Sequence, residues 1–233
     1  LCADTQTSHQ IHRIDGIDPG KSDDAQRFGE AVARVAGFGH RHVLEIEAHG
    51  VDPQFGPWVA TPFTGDQDGV LTLERLLRLK SGIMDPPEAR RAMEHLLEAA
   101  AAGHAAGLVH GDLDLAGVSV SRGGSLQIDL YGLRQVLRPA AGSRELLVRV
   151  EARAMARIGY QLVTGLRVDE PLIPATRVVE GLHGSWDDWF GTALGEPGFT
   201  TAAHALHALR EYRLNFELES ARRRIARGGI RTS

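Results

Sequence analysis

A loop near the middle of the chain carries residues whose types and spacing could do chemistry. Asp112 lies in a His-Gly-Asp run that follows a helical pattern and precedes two short strand patterns, at 118–120 and 126–128. A second carboxylate, Asp129, directly follows the second strand. A carboxylate that a loop holds within reach of a substrate proton can act as a general base. Asp112 is therefore the first candidate for a catalytic residue.

The residues before this loop predict a small, mostly β region with one helix. Weak alternation and turn residues over 1–21 suggest a hairpin, and short apolar runs at 43–46 and 58–60 are typical of strands. Ser22 is expected to cap a helix over 23–36, because apolar side chains recur there at helical spacing.

Helical patterns dominate the remainder of the chain. Asp85 is followed by two prolines and a glutamate, a start signal for a helix that runs to about Gly107. Further helices are predicted at 71–79, 144–164, 186–194 and 202–210, with a charged tail helix to about Arg227. This order of elements predicts an α+β fold with a small β-rich part and a larger helical part.

Composition limits the class of protein. The chain has 233 residues, 42% of them hydrophobic, and a formal net charge of −4, which indicates no overall bias toward nucleic acid or membrane. The single cysteine, Cys2, excludes an internal disulfide and fits a reducing, cytoplasmic compartment. No apolar run reaches the length of about 18 residues that spans a bilayer. Because Leu1 is not a methionine and no signal-peptide pattern follows it, we expect a fragment of a longer protein.

With these elements placed, nearly the whole chain resembles a bacterial serine/threonine protein kinase domain that begins just after the glycine-rich loop. His40-Arg41-His42-Val43 resembles the His-Pro-Asn-Ile that follows helix C of that family, and Leu162-Val163-Thr164-Gly165 resembles the end of its helix F. The resemblance implies a two-lobed fold. Residues 1–62 would form an N-lobe without its first strand and glycine-rich loop, 63–212 a helical C-lobe, and 213–233 a basic C-terminal helix or linker.

The resemblance also assigns a part to each candidate site residue. Kinases of this family pair a strand-three lysine with a helix-C glutamate, use a loop aspartate as base, and hold Mg²⁺ on an asparagine and on the aspartate of Asp-Phe-Gly. The matching positions here carry Arg13 for the lysine, Glu30 for the glutamate, Asp112 for the base, Gly117 for the asparagine, Leu130-Tyr131-Gly132 for Asp-Phe-Gly, and Glu151 for a structural aspartate of helix F. Neither glycine nor leucine offers a side-chain oxygen to a metal ion.

These replacements predict a pseudokinase, a kinase-like domain whose catalysis is impaired and whose binding of ATP and Mg²⁺ is weak or absent. Asp112 would then be a vestigial base whose carboxylate accepts hydrogen bonds from the loop backbone. The expected role is a regulatory or scaffolding module that binds a protein partner, such as an active kinase or a phosphopeptide-binding domain. Nucleic acid is not an expected partner.

Two alternatives stay open. The first is an active Ser/Thr protein kinase or ATP-binding phosphotransferase that uses displaced groups, with Asp112, Asp129 and Arg13 as candidates and with Arg13 able to pair with Glu30. One variant of it borrows the His-Gly-Asp of aminoglycoside and choline kinases, a resemblance confined to residues 108–120. The second alternative binds a nucleotide without transferring phosphate. Asp129 would reach a metal ion only if its strand slipped by one residue, which reverses side-chain facing.

Other chemistry-bearing residues are assigned to structure. His40 and His42 are spaced as weak metal ligands, but no cysteine or carboxylate cluster joins them, so loop packing is expected. The rest are expected on a helix surface, as for His204 and His207, or in the helical core, as for Trp186, Trp189 and Phe190. An exposed aromatic patch that binds a partner is the alternative for the last three.

A basic cluster closes the chain and consists of Arg222, Arg223, Arg224, Arg227 and Arg231. A solvated helix face is the expected reading. One alternative is a segment close to anionic lipid, which would make this chain the cytoplasmic domain of a membrane protein. The other alternative, a nucleic-acid contact, is weaker because the rest of the chain is acidic.

Overall fold

A three-stranded antiparallel sheet and a separate two-stranded hairpin, both packed against helices, give the chain a mixed α+β fold. The computed structural model describes residues 8–18, 20–65, 69–111, 113–169 and 171–212. The elements in chain order are β1 (His9–Arg13), α1 (Ser22–Ala36), β2 (Ala48–Asp52), β3 (Gly56–Pro62), α2 (Leu73–Leu79), α3 (Pro86–Ala105), β4 (Val118–Val120), β5 (Leu126–Ile128), α4 (Leu133–Leu137), α5 (Arg144–Thr164), α6 (Ala175–Val178), α7 (Ser185–Leu194) and a helix over 202–212, α8.

Three sequence-based predictions fall on residues that lie outside the described part. Residues 1–7 contain most of the first half of the hairpin predicted over 1–21. Asp112, the candidate base, is also outside, and so is the tail that contains Arg222, Arg223, Arg224, Arg227 and Arg231. These predictions stay predictions.

The larger sheet has the order β1-β3-β2, so its central strand is β3. Arg13 at the end of β1 pairs with Trp58, and Ala48 at the start of β2 pairs with Ala60. Gly50 of β2 is required by this register, because a Cβ there would lie 2.9 Å from the Trp58 ring. Only a strand without a side chain at that position fits beside the tryptophan.

The strand predicted at 43–46 is wrong, and β2 begins five residues later. Val43 and Leu44 are both buried, so this run does not alternate between a core face and a solvent face. The chain here instead bonds to the small hairpin: the Leu44 N–H donates to the Ile128 carbonyl at 3.0 Å, and the Ile128 N–H donates to the His42 carbonyl at 2.9 Å. An apolar run of this length is therefore core that joins the sheet to the hairpin, not a strand of the sheet.

Helix α1 covers one side of the sheet with an apolar stripe of Phe28, Val32 and Val35. The predicted cap is displaced by one residue. Ser22 is the first helical residue, and Lys21 is the N-cap without a side-chain hydrogen bond. The last turn ends at Gly37, as the sequence predicts.

The helical part is built around the pair α3 and α5. Helix α5 spans the predicted range and ends at Gly165 in a left-handed conformation, with Ser143 as its N-cap. Trp189 and Phe190 of α7 are almost fully buried, which confirms them as core rather than as an exposed patch. Two short helices, α4 and α6, were not predicted. Within the described residues, no helix is both long and apolar enough to cross a membrane.

Candidate functional site

The loop between α3 and β4 is fastened by one buried carboxylate, that of Glu151. This residue lies in the middle of α5 and is fully buried. Its Oε2 accepts the backbone N–H groups of His110 at 2.6 Å and Gly111 at 3.1 Å, and its Oε1 accepts the hydroxyl of Tyr131 at 2.6 Å. Charge-assisted bonds of this kind are stronger than neutral ones, and here they offset the cost of burying the carboxylate. Glu151 thus joins α5, the loop and the segment after β5.

The Tyr131 ring completes this junction by packing. It is fully buried, and it lies 5.6 Å from the Phe38 ring and 5.4 Å from the His110 ring, measured between centroids. Helix α3 makes room for it at Gly103, where a Cβ would lie 2.3 Å from the Tyr131 ring. Burial and the neighbouring Glu151 carboxylate raise the pKa of the Tyr131 hydroxyl, so it remains a donor.

The second half of the loop is shaped by Asp114. Its Oδ1 accepts the N–H groups of Ala116 at 3.0 Å and Gly117 at 2.9 Å, which forms a tight turn into β4. The Gly117 carbonyl in turn accepts the N–H of Asp129 at 3.1 Å, so the loop and the end of β5 are in register. The Asp114 side chain is therefore engaged in holding the loop.

The segment after β5 begins with two half-buried residues that line a cavity, Asp129 and Leu130, and continues with two buried ones, Tyr131 and Gly132. Asp129 accepts a hydrogen bond from the Ser119 hydroxyl at 2.7 Å, and burial raises the pKa of its carboxyl to about 6. Leu130 is one of two non-glycine residues with a positive φ in the described part, at 47°, and Gly132 follows with a φ of 79°. A positive φ is costly for leucine, so the buried neighbours must hold this turn.

Arg13 and Glu30 are not brought together. The nearest carboxylate to the Arg13 guanidinium is that of Asp15, with Nε and Oδ1 3.7 Å apart, and both side chains are largely exposed. Glu30 is exposed on α1 and accepts a hydrogen bond from Gln26, one turn earlier, at 2.9 Å. The ion pair that the sequence made available to Arg13 does not form.

A cavity of about 680 Å³ lies between the end of β1, the segment after β5 and α4. Arg13, His110, Asp129 and Leu130 are among its lining residues. Burial lowers the pKa of the His110 imidazole, and its Nδ1 accepts the N–H of Gly132 at 3.3 Å. The structure therefore gathers Arg13, Asp129 and Leu130 at one cavity, whereas Glu30 lies outside its lining.

The histidines assigned to structure are found in packing roles. The His42 ring is buried and stacks on His95 with centroids 4.0 Å apart, and its Nδ1 lies 2.9 Å from the Leu126 carbonyl. His204 and His207 are exposed on α8, as expected. No group of three His, Cys, Asp or Glu side chains in the described residues could hold a metal ion.

Sequence reasoning missed two parts of this site. Ser119 lies between two valines of a fully buried strand, and a lone hydroxyl in such a place indicates a buried hydrogen-bond partner. Arg134 and Arg138 are four residues apart at the unpredicted helix α4, and both line the cavity. A spacing of four residues places two side chains on the same face of a helix, but α4 is short and has no capping side chain from which it could be predicted.

No protein-family model matches this chain, and a search of curated proteins gives no match.

Proposed function

We propose that this chain is a pseudokinase, a protein kinase-like domain that does not transfer phosphate and acts as a regulatory or scaffolding protein-binding module. The order of elements supports a two-lobed, kinase-like architecture. A sheet with one helix comes first (β1 to β3 with α1), and a helical part that carries the β4–β5 hairpin follows. The proposed division remains an N-lobe over 1–62, a C-lobe over 63–212 and a basic tail over 213–233.

The observation that carries the proposal is the side chain at the turn after β5. Leu130 occupies the position that would supply a metal ligand, and it is apolar. Gly117, at the second ligand position, has no side chain. The neighbouring carboxylate of Asp129 is half-buried and accepts the Ser119 hydroxyl. Mg²⁺ requires oxygen ligands in octahedral geometry, and neither Leu130 nor Gly117 offers a side-chain oxygen.

The positions that would clamp a nucleotide's phosphates are dispersed as well. Arg13 pairs with Asp15, and Glu30 bonds to Gln26. Phosphoryl transfer depends almost entirely on positioning and on neutralising the developing negative charge. A site with neither the metal ligands nor the lysine–glutamate pair lacks both contributions, even if Asp112 keeps the base position.

A thermal-shift titration with ATP and Mg²⁺ tests the catalytic half of the proposal. We expect no saturable rise in Tm, and no transfer of radiolabelled phosphate to protein under Mg²⁺ or Mn²⁺. A matched variant, Gly117→Asn with Leu130→Asp, returns two oxygen ligands and is expected to gain a metal-dependent shift. Transfer by the unaltered chain that disappears in Asp112→Asn would establish an active phosphotransferase with displaced groups and remove the proposal.

The expected partner is a protein, either an active kinase or a phosphopeptide-binding domain, in a cytoplasmic setting. Two positions that the kinase resemblance singles out are engaged in architecture: Glu151 fastens the loop, and Tyr131 fills the core beneath it. A loop fastened by such hydrogen bonds suits recognition, because a preformed surface loses little conformational entropy on binding. Closeness to a membrane through Arg222, Arg223, Arg224 and Arg227 stays a part of the proposal.

A further inference from the structure

Three arginines line the cavity between β1 and α4 described above. Arg13 comes from β1, Arg134 from α4 and Arg138 from the C-terminal cap of α4, and all three are exposed to solvent. We call the space between them the arginine cavity. Because its three cations come from two separate elements, the cavity depends on the docking of α4 beside the end of the sheet.

The charges of these arginines are poorly compensated. The Arg138 guanidinium donates to the Asp15 main-chain carbonyl at 2.7 Å, so this bond uses a donor without neutralising a charge. Arg13 lies 3.7 Å from the Asp15 carboxylate, and two side chains so exposed gain little from pairing. For Arg134, the described residues offer no carboxylate within ion-pair distance.

Of the described residues that line the cavity with the arginines, two are carboxylates, Asp15 and Asp129. Asp15 is exposed, whereas Asp129 is half-buried and hydrogen-bonded to Ser119. Burial raises the pKa of Asp129 to about 6, so its charge is partly lost just below neutral pH. Burial also keeps the His110 imidazole neutral by lowering its pKa. Among the described lining residues, three guanidinium groups therefore face two carboxylates, of which Asp129 is partly protonated just below neutral pH.

We propose that the arginine cavity binds a phosphoryl dianion without a metal ion. Guanidinium groups match the geometry of phosphate oxygens and bind them through two parallel hydrogen bonds. The cavity, at about 680 Å³, has room for a phosphoryl group and the atoms that carry it. The inference rests on the proposed function: where a kinase-like site lacks metal ligands, its own side chains supply the positive charge.

The same phosphoryl chemistry has two sources, a phosphorylated side chain of a protein partner or the phosphates of a nucleotide. Calorimetric titrations of the full chain in EDTA separate them, with a phosphoserine peptide, its unphosphorylated twin, ADP and inorganic phosphate as probes. We expect saturable binding of a phosphorylated probe, weakened by salt, and no binding of the unphosphorylated peptide. Binding of the phosphopeptide in preference to ADP assigns the site to a protein partner. The reverse assigns it to a nucleotide, which keeps the anion site but contradicts the expectation that ATP gives no saturable rise in Tm.

Two variants, one that removes a positive charge from the cavity and one that removes a negative charge, sharpen the test. Arg134→Gln removes a cation without touching any structural bond of the described residues, and we expect affinity to fall about tenfold, the loss of one charge-assisted hydrogen bond. Asp129→Asn removes an opposing charge and is expected to tighten binding at pH 7. Arg177→Gln, on the exposed surface of α6, is the matched control and should leave affinity unchanged.

Equal affinity of the unaltered chain and Arg134→Gln would overturn the inference, as would equal binding of both peptides. Absence of all binding in EDTA, together with no ATP and Mg²⁺ response, removes the anion site and leaves the pseudokinase proposal intact. Binding that appears only with Mg²⁺, with transfer of phosphate, removes both proposals together.

Discussion

Two glutamates that the kinase resemblance singles out have opposite surroundings. Glu151 is fully buried, and three donors from two other segments converge on its carboxylate. Glu30 is exposed, and the described bond to its side chain comes from its own helix. Buried hydrogen bonds to Glu151 therefore hold the loop between α3 and β4 in place. The described contact of the Glu30 side chain, by contrast, lies within its own helix, α1. Buried hydrogen bonds join distant segments at Glu151, whereas the charges of Arg13 and Glu30 stay apart.

The comparison is tested most strongly by removing the buried carboxylate. Glu151→Ala leaves the His110 and Gly111 N–H groups and the Tyr131 hydroxyl without their acceptor in a buried place. We expect the free energy of unfolding to fall by roughly 3–5 kcal/mol, measured by urea denaturation. Glu30→Ala is the matched control and should change it by less than about 0.5 kcal/mol. Similar losses of unfolding free energy in the two variants would show that the buried and the exposed glutamate contribute equally to stability.

The second prediction concerns the half-buried carboxyl of Asp129. Its pKa in the folded protein is about 6, above the ordinary value of 3.8, so the folded state holds its proton more tightly than the unfolded state does. Stability must then decrease as pH rises between these two values, by about 3 kcal/mol in total at 1.36 kcal/mol for each unit. Asp129→Asn, which can still accept from Ser119, should be more stable than the parent at pH 7 by up to this amount.

Denaturation midpoints of the parent and the Asp129→Asn variant across the acidic range measure this effect. The two curves should converge near pH 4 and separate toward neutrality. A constant difference would mean that Asp129 does not titrate in this range, and its burial would then have no electrostatic cost.

What the sequence could predict follows from how local each signal is. Helix α5 was placed correctly, and its end signals are local: Gly165 marks its C-terminus, and the structure shows Ser143, which the prediction did not use, as its N-cap. The run at 43–46 was misplaced because its partner, Ile128, lies more than eighty residues away. An apolar run reports burial but does not report which element buries it.

The candidate site divides in the same way. The absence of a side-chain oxygen at Leu130 and at Gly117 could be predicted from the residue types alone. The arginine cavity could not, since Arg13 and Arg134 become neighbours only through the packing of α4 against α1. Long-range charge clusters are set by tertiary contacts, and a single sequence carries no record of them.

A smaller effect of pH on stability is expected from two stacked histidines, His42 and His95, beside the β4–β5 hairpin. Burial is the main cause that lowers the pKa of both His42 and His95 below the ordinary 6.5. The unfolded chain then binds more protons, so stability is complete above pH 6.5 and declines as the pH falls below it. Glu98 opposes this decline, because its carboxylate lies 3.5 Å from the His42 Nε2, while Arg41 and Arg91 reinforce it.

The opposite slopes of the histidines and of Asp129 can be separated in one background. In Asp129→Asn, the remaining loss of stability below pH 6.5 should become clearer. His95→Phe keeps a stacked ring beside His42 and removes one titrating group, so the decline should become shallower. An unchanged slope would assign the acid sensitivity to other groups, among them His110.

The smallest expected effect is the coupling between Arg13 and Glu30. A double-mutant cycle of Arg13→Gln and Glu30→Gln, read by urea denaturation, should give an interaction energy below about 0.3 kcal/mol, because no ion pair joins them. The parallel cycle of Tyr131→Phe and Glu151→Gln should give about 0.5–3 kcal/mol, the range for residues in direct contact. Appreciable coupling in the first cycle would mean that the two charges meet in solution. Glu30 would then take part in an interaction between two elements, as Glu151 does. The reason for proposing that the chain lacks the ion pair that positions a nucleotide's phosphates would be lost.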